Sequence, residues 1–270
     1  MLPAGTYSGK VVLVTGGGTG LGKAMAVEFA RLGAAVVVAS RQPEHRQRGL
    51  QALETLGAKA IGVELDVRDQ DAIDAVFDHI DQTLGPVDVL INNAAGNFPA
   101  QAAKMSANAW RSVVDIVLNG TFLCSTEFAR RAIARRATGA VLNIGATYSW
   151  TGGPGTAHSA AAKAGVTNLT QSLAVEWAPH GIRVNCLAPG LFPHDDLPPV
   201  LRARQDPDAD GKRIPAGRVG SPHELGWAAT YLCSNYAAYL TGHTLVLDGA
   251  NWLRRGLTMP QFVPIEEQIP

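Results

Sequence analysis

Seven short runs of aliphatic and β-branched residues recur along the chain, each separated from the next by a longer stretch of helical period. They are VVLVT (Val11–Thr15), AVVVA (Ala35–Ala39), AIGVE (Ala60–Glu64), VDVLIN (Val87–Asn92), AVLNIG (Ala140–Gly145), RVNCLA (Arg183–Ala188) and TLVLD (Thr244–Asp248). These runs are almost continuously apolar, the pattern of strands with both faces covered by helices. Helical spacing fills the intervals, as in Leu21–Leu32, Asp69–Leu84 and Ala157–Ala178. Repeated β-α-β order of this kind requires right-handed crossovers and a doubly wound sheet. We therefore expect an α/β chain of one Rossmann-type domain over residues 1–270, with a parallel sheet of about seven strands. At 270 residues and 46% apolar content it is long enough to bury a large core as one unit.

One stretch breaks the rhythm. Leu191–Pro222, rich in Pro, Asp and Arg, follows the sixth strand. Loops leaving the carboxyl ends of parallel strands border the ligand crevice, so it is read as a substrate lid in preference to a disordered stretch.

Charge and composition exclude several functions. Basic and acidic residues number 23 each. No net field then exists to hold nucleic acid or an anionic membrane, and neither is expected as a partner. The longest apolar runs, such as AAVVVA, are far short of the ~20 residues that a membrane helix needs. The start MLPAGTYSGK lacks a basic segment followed by an apolar one, and the terminal QIP is not a peroxisomal address, so a cytoplasmic location is expected. Cys124, Cys186 and Cys233 lie far apart with no histidine at metal spacing. They are expected as small buried packing residues, and no metal site is expected.

The sharpest motif is TGGGTGLG (Thr15–Gly22), set where the first strand hands over to the first helix. Glycines there close the turn and let backbone N–H groups approach a pyrophosphate at the helix N-terminus. Gly16, Thr19, Gly20, Leu21 and Gly22 are thus candidate dinucleotide contacts. The second strand ends at Ala39-Ser40-Arg41, where an NAD site usually has a carboxylate for the ribose. Arg41 either holds the 2′-phosphate of NADPH, which is the reading preferred here, or is a solvated surface residue. Asp66 either accepts from the adenine amino group or caps the next helix. Small residues in NNAAG (Asn92–Gly96) permit a nucleotide to lie against the backbone.

Taken together, TGGGTGLG, NNAAG, Lys163 near a helix start and Ala188-Pro189-Gly190 resemble the short-chain dehydrogenase/reductase family over nearly the whole chain. The resemblance implies that Pro189, Gly190 and Leu191 also contact the cofactor and that Lys163 holds its ribose. In that family a Tyr four residues before the Lys donates the proton, aided by a Ser and an Asn. Here Ser159, Ala146 and Val117 occupy those three places, and His194 follows Pro193 where a Thr is frequent. A serine hydroxyl is too weak an acid to replace a phenol.

NNAAGNF, NIGATY and HSAAAKAGV are similar to one branch, the NADPH-dependent 2,4-dienoyl-CoA reductases. That similarity implies a catalytic set of Tyr148, Asn97, Lys163 and Ser159. Tyr148 and Asn97 would bind the thioester oxygen, and Ser159 stands for the serine that the branch has in place of the usual Tyr. It also implies acyl-CoA contacts at Arg68, Phe98 and Ser106, and a homotetramer. Read singly, Tyr148 is also a loop aromatic, Asn97 a turn former, Ser159 a small packing residue and Arg68 an exposed charge at a helix entry. His158 is read as capping or packing. Three alternatives stay open: a trans-2-enoyl-CoA reductase, a ketone or hydroxyacyl-CoA dehydrogenase, and a catalytically silent NADP(H)-binding protein.

Overall fold

In the structure, a computed structural model, residues 2–194, 196, 206–253 and 267 are described. Seven strands form one parallel sheet in the order β3-β2-β1-β4-β5-β6-β7. They are β1 Val11–Thr15, β2 Ala35–Ala39, β3 Ala60–Val63, β4 Val89–Asn92, β5 Gly139–Ile144, β6 Ile182–Pro189 and β7 Thr244–Leu247. Helices α1 (Gly20–Arg31), α2 (Pro43–Glu54) and α3 (Gln70–Thr83) link the first four strands. Helices α4 (Ala107–Val114) and α5 (Gly120–Ala134) join β4 to β5, with one π-helical turn, Asp115–Asn119, between them. A short α6 (Tyr148–Thr151) and the long α7 (Ala157–Trp177) join β5 to β6, and α8 (Pro207–Gly211) and α9 (Pro222–Cys233) precede β7.

The strands divide their side chains by period two, as a pleated backbone requires. Val12, Val14, Val36, Val38, Ile91 and Leu142 enter one core layer with Met25 and Phe29 of α1 and Leu225 and Leu232 of α9. Val11, Leu13, Val37, Leu90 and Val141 enter the other with Phe77, Ile80, Phe128 and Trp177. Each such side chain, taken out of water, stabilises by roughly 1.5–3 kcal/mol. That is why the strands read as unbroken apolar runs.

Strand order reverses between β2-β1 and β4-β5, so the chain leaves β1 toward one side of the sheet and β4 toward the other. The two exits are stitched together by Thr15, whose Oγ1 donates to Ile91 O at 3.2 Å and accepts from the amides of Asn93 and Ala94, both at 3.0 Å. A crevice must open beyond this switch point, outside the carboxyl ends of the strands.

The expected lid over residues 191–222 is partly structured. Gly220 N donates to Leu191 O at 2.9 Å, and Phe192 is buried against Gly220. This segment therefore returns to the core through its own apolar contacts. Residues 195 and 197–205, the middle of the expected lid, lie outside the described residues.

Candidate active site

The crevice is a cleft of about 560 Å³ at the switch point, reaching from Arg41 and Asp66 at one end to Tyr148, Lys163 and Gly190 at the other. Its floor is the β1–α1 turn. Gly16 adopts φ +64°, a left-handed conformation suited to glycine, and Gly20 adopts φ +52°. A Cβ on Gly22 would stand 2.2 Å from Gly16 O, so the turn closes only if that position has no side chain. Gly16, Thr19, Gly20 and Leu21 line the cleft, whereas Gly22 is buried beneath them. Asn93 braces the turn, its Nδ2 donating to Thr15 O at 2.9 Å and Gly16 O at 3.2 Å. Thr15 and Asn93 were within recognised motifs, yet only the folded contact between strands 76 to 78 positions apart gives them this bracing role.

At the nucleoside end, Arg41 is half exposed and its Nη1 is 3.8 Å from Asp66 Oδ2. Asp66 is engaged from the other side by Arg68, whose Nε and Nη2 reach Oδ1 at 2.9 Å and Oδ2 at 2.5 Å. This fork holds the Asp66 carboxyl below the usual carboxylate range. The helix-capping alternative for Asp66 does not apply, since Asp69 caps α3 by accepting from Ala72 N at 3.1 Å. Arg68 is therefore committed to Asp66 in this conformation. Ser106, another expected acyl-CoA contact, is the N-cap of α4 and accepts from Ala109 N at 3.1 Å.

The first amide of α1 is engaged as well. Gly20 N donates to the carboxylate of Asp196 at 2.8 Å, and Lys23 Nζ reaches the same oxygen at 2.7 Å. Burial raises the Asp196 pKa, but Lys23 and the Gly20 amide outweigh it and hold the group below its ordinary value. His194 lies against the same turn, its Nε2 3.0 Å from where a Gly20 Cβ would be.

The other end of the cleft carries the reactive groups. Tyr148 is the first residue of α6, and its hydroxyl lies 3.0 Å from Ser159 Oγ in the first turn of α7, with either oxygen able to donate. Lys163, one turn further along the same helix face, is buried and donates from Nζ to Ile144 O at the end of β5. Burial pushes its pKa down to about 8, opposed by the neighbouring Cys186 thiol. Tyr148 and Lys163 line this end of the cleft together with Pro189 and Gly190, and Ser159 joins them through its bond to Tyr148. Ala146 also lines this end and contributes no hydroxyl, while Val117, in the π-helical turn, is buried against Val113, Ala162 and Val166.

Asn97 and Phe98 are exposed on the segment after β4, Leu191 follows β6 and is also exposed, and none of the three lines the cleft. The three cysteines are free and buried. Among the described residues, no helix is long and apolar enough to cross a membrane.

A glycine cradle, a helix N-terminus, and a lysine and a phenol that line one cleft are the parts a nicotinamide dinucleotide needs, and the cleft fits that group. The family model described as enoyl-(acyl carrier protein) reductase matches residues 16–250. The chain belongs to the short-chain dehydrogenase/reductase family. It is 40% identical over 246 residues to a Bacillus subtilis (strain 168) protein named "Probable 2,4-dienoyl-CoA reductase", (2E)-enoyl-CoA-producing, covering 90% of this chain and 97% of that one. A short chain dehydrogenase from Bacillus anthracis str. 'Ames Ancestor' superposes with a TM-score of 0.84 at 43% identity, over 92% of this chain and 98% of that one. A candidate 2-deoxy-d-gluconate 3-dehydrogenase from Agrobacterium tumefaciens, solved with bound NADP, gives 0.82 at 34% identity, over 93% and 100%. The protein is an oxidoreductase of this family, whose members bind a nicotinamide cofactor.

Proposed function

We propose that this protein is an NADPH-dependent reductase of unsaturated acyl-CoA thioesters, acting on 2,4-dienoyl-CoA. The observation that carries the reading is the Tyr148 hydroxyl, 3.0 Å from Ser159 Oγ and beside buried Lys163, in a site where Ala146 and Val117 are apolar. A phenol is present, but it reaches the site from the loop after β5 and not from α7.

Such an arrangement suits a reaction whose charge develops away from the carbon that is reduced. NADPH, when bound, supplies a hydride, delivered to C5 of the dienoyl chain. The electron pair then moves through the conjugated system onto the thioester oxygen as a dienolate. Two donors at that oxygen, the Tyr148 hydroxyl and the Asn97 side-chain amide, stabilise it without requiring a strong acid at the reduced carbon. Ser159 orients the Tyr148 hydroxyl. Lys163 holds the ribose, and its ammonium favours negative charge nearby. A proton taken up at C2 gives the 3-enoyl-CoA; uptake at C4 would give the 2-enoyl product that the Bacillus subtilis relative's name states. Gly16, Thr19, Gly20, Leu21, Asp66, Pro189, Gly190 and Leu191 would contact the dinucleotide over the turn that Gly22 lets close, Arg41 its 2′-phosphate, and Arg68, Phe98 and Ser106 the acyl-CoA.

A homotetramer would cover exposed apolar side chains such as Phe122 on α5 (44% exposed) and Val175 on α7 (80% exposed). Burying such groups between copies removes apolar area from water.

The test follows NADPH oxidation with 2,4-hexadienoyl-CoA, with crotonyl-CoA and acetoacetyl-CoA as controls and the double-bond position of the product assigned by NMR. Turnover of the diene, lowered about 100-fold or more in Tyr148→Phe and in Asn97→Ala, is the expected result. Reduction of the monoene or the ketone alone, with NADPH bound, would overturn the dienoyl reading.

A further inference from the structure

For two donors to converge on one oxygen, Asn97 must be held in register with Tyr148, yet the two belong to different connections of the fold. Asn97 sits on the exposed segment after β4. That segment is tied at two points to the beginning of α7. Ala100 N donates to Gly155 O at 3.0 Å, and the Phe98 ring meets the His158 ring edge to face, with centroids 4.7 Å apart and planes at 88°.

His158 is fully buried and immediately precedes Ser159. Its Nδ1 accepts from the Ser159 amide at 2.8 Å, which places the ring proton on Nε2. Nε2 is buried with no nitrogen or oxygen partner among the described residues. A buried N–H without an acceptor carries a desolvation cost, so the imidazole is held there by its other contacts, the Ser159 amide and the perpendicular Phe98 ring. A histidine whose only role was to fill space would be replaced at less cost by an apolar residue. Here the imidazole touches both halves of the site, bonded to Ser159, whose partner is Tyr148, and packed against Phe98, the neighbour of Asn97.

We infer that His158 is a positioning residue that, through its ring contact with Phe98, holds Asn97 in register with Tyr148 and Ser159. Phe98 then serves as the tether of Asn97 in addition to its expected place beside the acyl chain. The inference rests on the dienoyl-CoA reading for what Asn97 does, but the tether itself is a mechanical property of the chain.

Two measurements separate these. Amide hydrogen exchange at Ala100 needs no substrate: in Phe98→Ala and in His158→Ala, exchange should quicken by about tenfold relative to wild type. Phe98→Tyr, which keeps a ring face, should retain wild-type protection. Unchanged exchange in both alanine variants overturns the tether. Kinetics with NADPH and 2,4-hexadienoyl-CoA test its consequence. His158→Ala, at a residue with no place beside substrate or cofactor, should lower kcat about tenfold with the NADPH Kd unchanged, and adding it to the residual activity of Asn97→Ala should cost less than about twofold more, because the imidazole acts through Asn97. Losses that multiply in the double variant overturn the positioning role. A wild-type protein that reduces no dienoyl-CoA overturns the function proposed for Asn97, while the exchange result still decides the tether.

Discussion

Lys163 combines the two demands placed on this site. In the proposed function its ammonium holds a ribose, and it lines the cleft as a buried residue, where burial disfavours charge and pushes its pKa from 10.5 to about 8. In the unfolded chain the same group keeps its proton up to its ordinary value. Between pH 8 and about 10.5 the unfolded state therefore binds more protons than the native state, and folding stability rises with pH there. Below pH 8 the full cost of the buried charge is present. Urea midpoints of wild type and Lys163→Met should thus converge as pH rises from 8 to 10, with the variant the more stable at pH 7. A gap independent of pH would refute this account. Asp196 supplies a second residue-scale expectation. Its carboxylate occupies the Gly20 amide that an anionic dinucleotide would use, with Lys23 as its counter-charge. Asp196→Asn removes a competing negative charge and should tighten NADPH binding by roughly threefold to tenfold, measured by fluorescence titration. Weaker binding would mean that Asp196 supports the bound state.

Among the elements, the docking of α9 on α1 depends on close approach. Gly226 faces α1, and a Cβ there would lie 2.3 Å from Glu28 Cγ. Glu28 is almost fully buried in this contact, accepting from Trp227 Nε1 at 3.1 Å and bonded to His223 Nδ1 at 2.7 Å. Gly226→Ala forces the helices apart or turns Glu28 off its partners, and should lower stability by about 1–3 kcal/mol in denaturant melts. Helix α9 begins with a capping box, Ser221 paired reciprocally with Glu224, and Arg218 forks onto the Glu224 carboxylate at 2.6 and 2.7 Å. Arg218 first, and then the Ser221 amide, hold the Glu224 pKa down to about 2. The stabilisation is present above pH 4.5 and is lost as pH falls toward 2, and Ser221→Ala should cost about 1 kcal/mol at neutral pH. The π-helical turn before α5 belongs to the same scale. Val117 within it packs α4 onto α7, so a position that holds a polar catalytic partner elsewhere in the family serves here as core.

At the scale of the molecule, the sheet order decides where chemistry occurs. Reversal between β1 and β4 opens a crevice, and most groups that line it arrive at the carboxyl end of a strand or the start of the following helix, with Ile116 of the π-helical turn and Lys163 of α7 reaching it from further along. Arg41, at the exit of β2, is the group whose charge matches a 2′-phosphate. Arg41→Asp should move the NADPH to NADH preference by about 10- to 100-fold toward NADH, read as the ratio of kcat/KM values, since a charge-assisted hydrogen bond is worth about 1.5–3 kcal/mol. An unchanged ratio would place the phosphate elsewhere.

What the sequence determined alone was the periodic part of the molecule. β1 and β2 begin and end where their apolar runs do, and α7 spans Ala157–Trp177, one residue short of its pattern, because burial on both faces leaves a continuous signal in local composition. The glycine turn and Lys163 were legible for a similar reason: close backbone approach and a helix start leave few residue types possible. The expected strand from Val87 starts instead at Val89, because Asp88 turns its carboxylate to the Val11 amide at 2.9 Å, a partner 77 positions away. Only the tertiary structure decided that Tyr148 meets Ser159, that Arg68 forks onto Asp66, that Ser106 caps a helix and that Phe98 meets His158. Each of these is a directional bond or ring contact between side chains, and such contacts depend on distances of a few ångströms that composition and period do not encode.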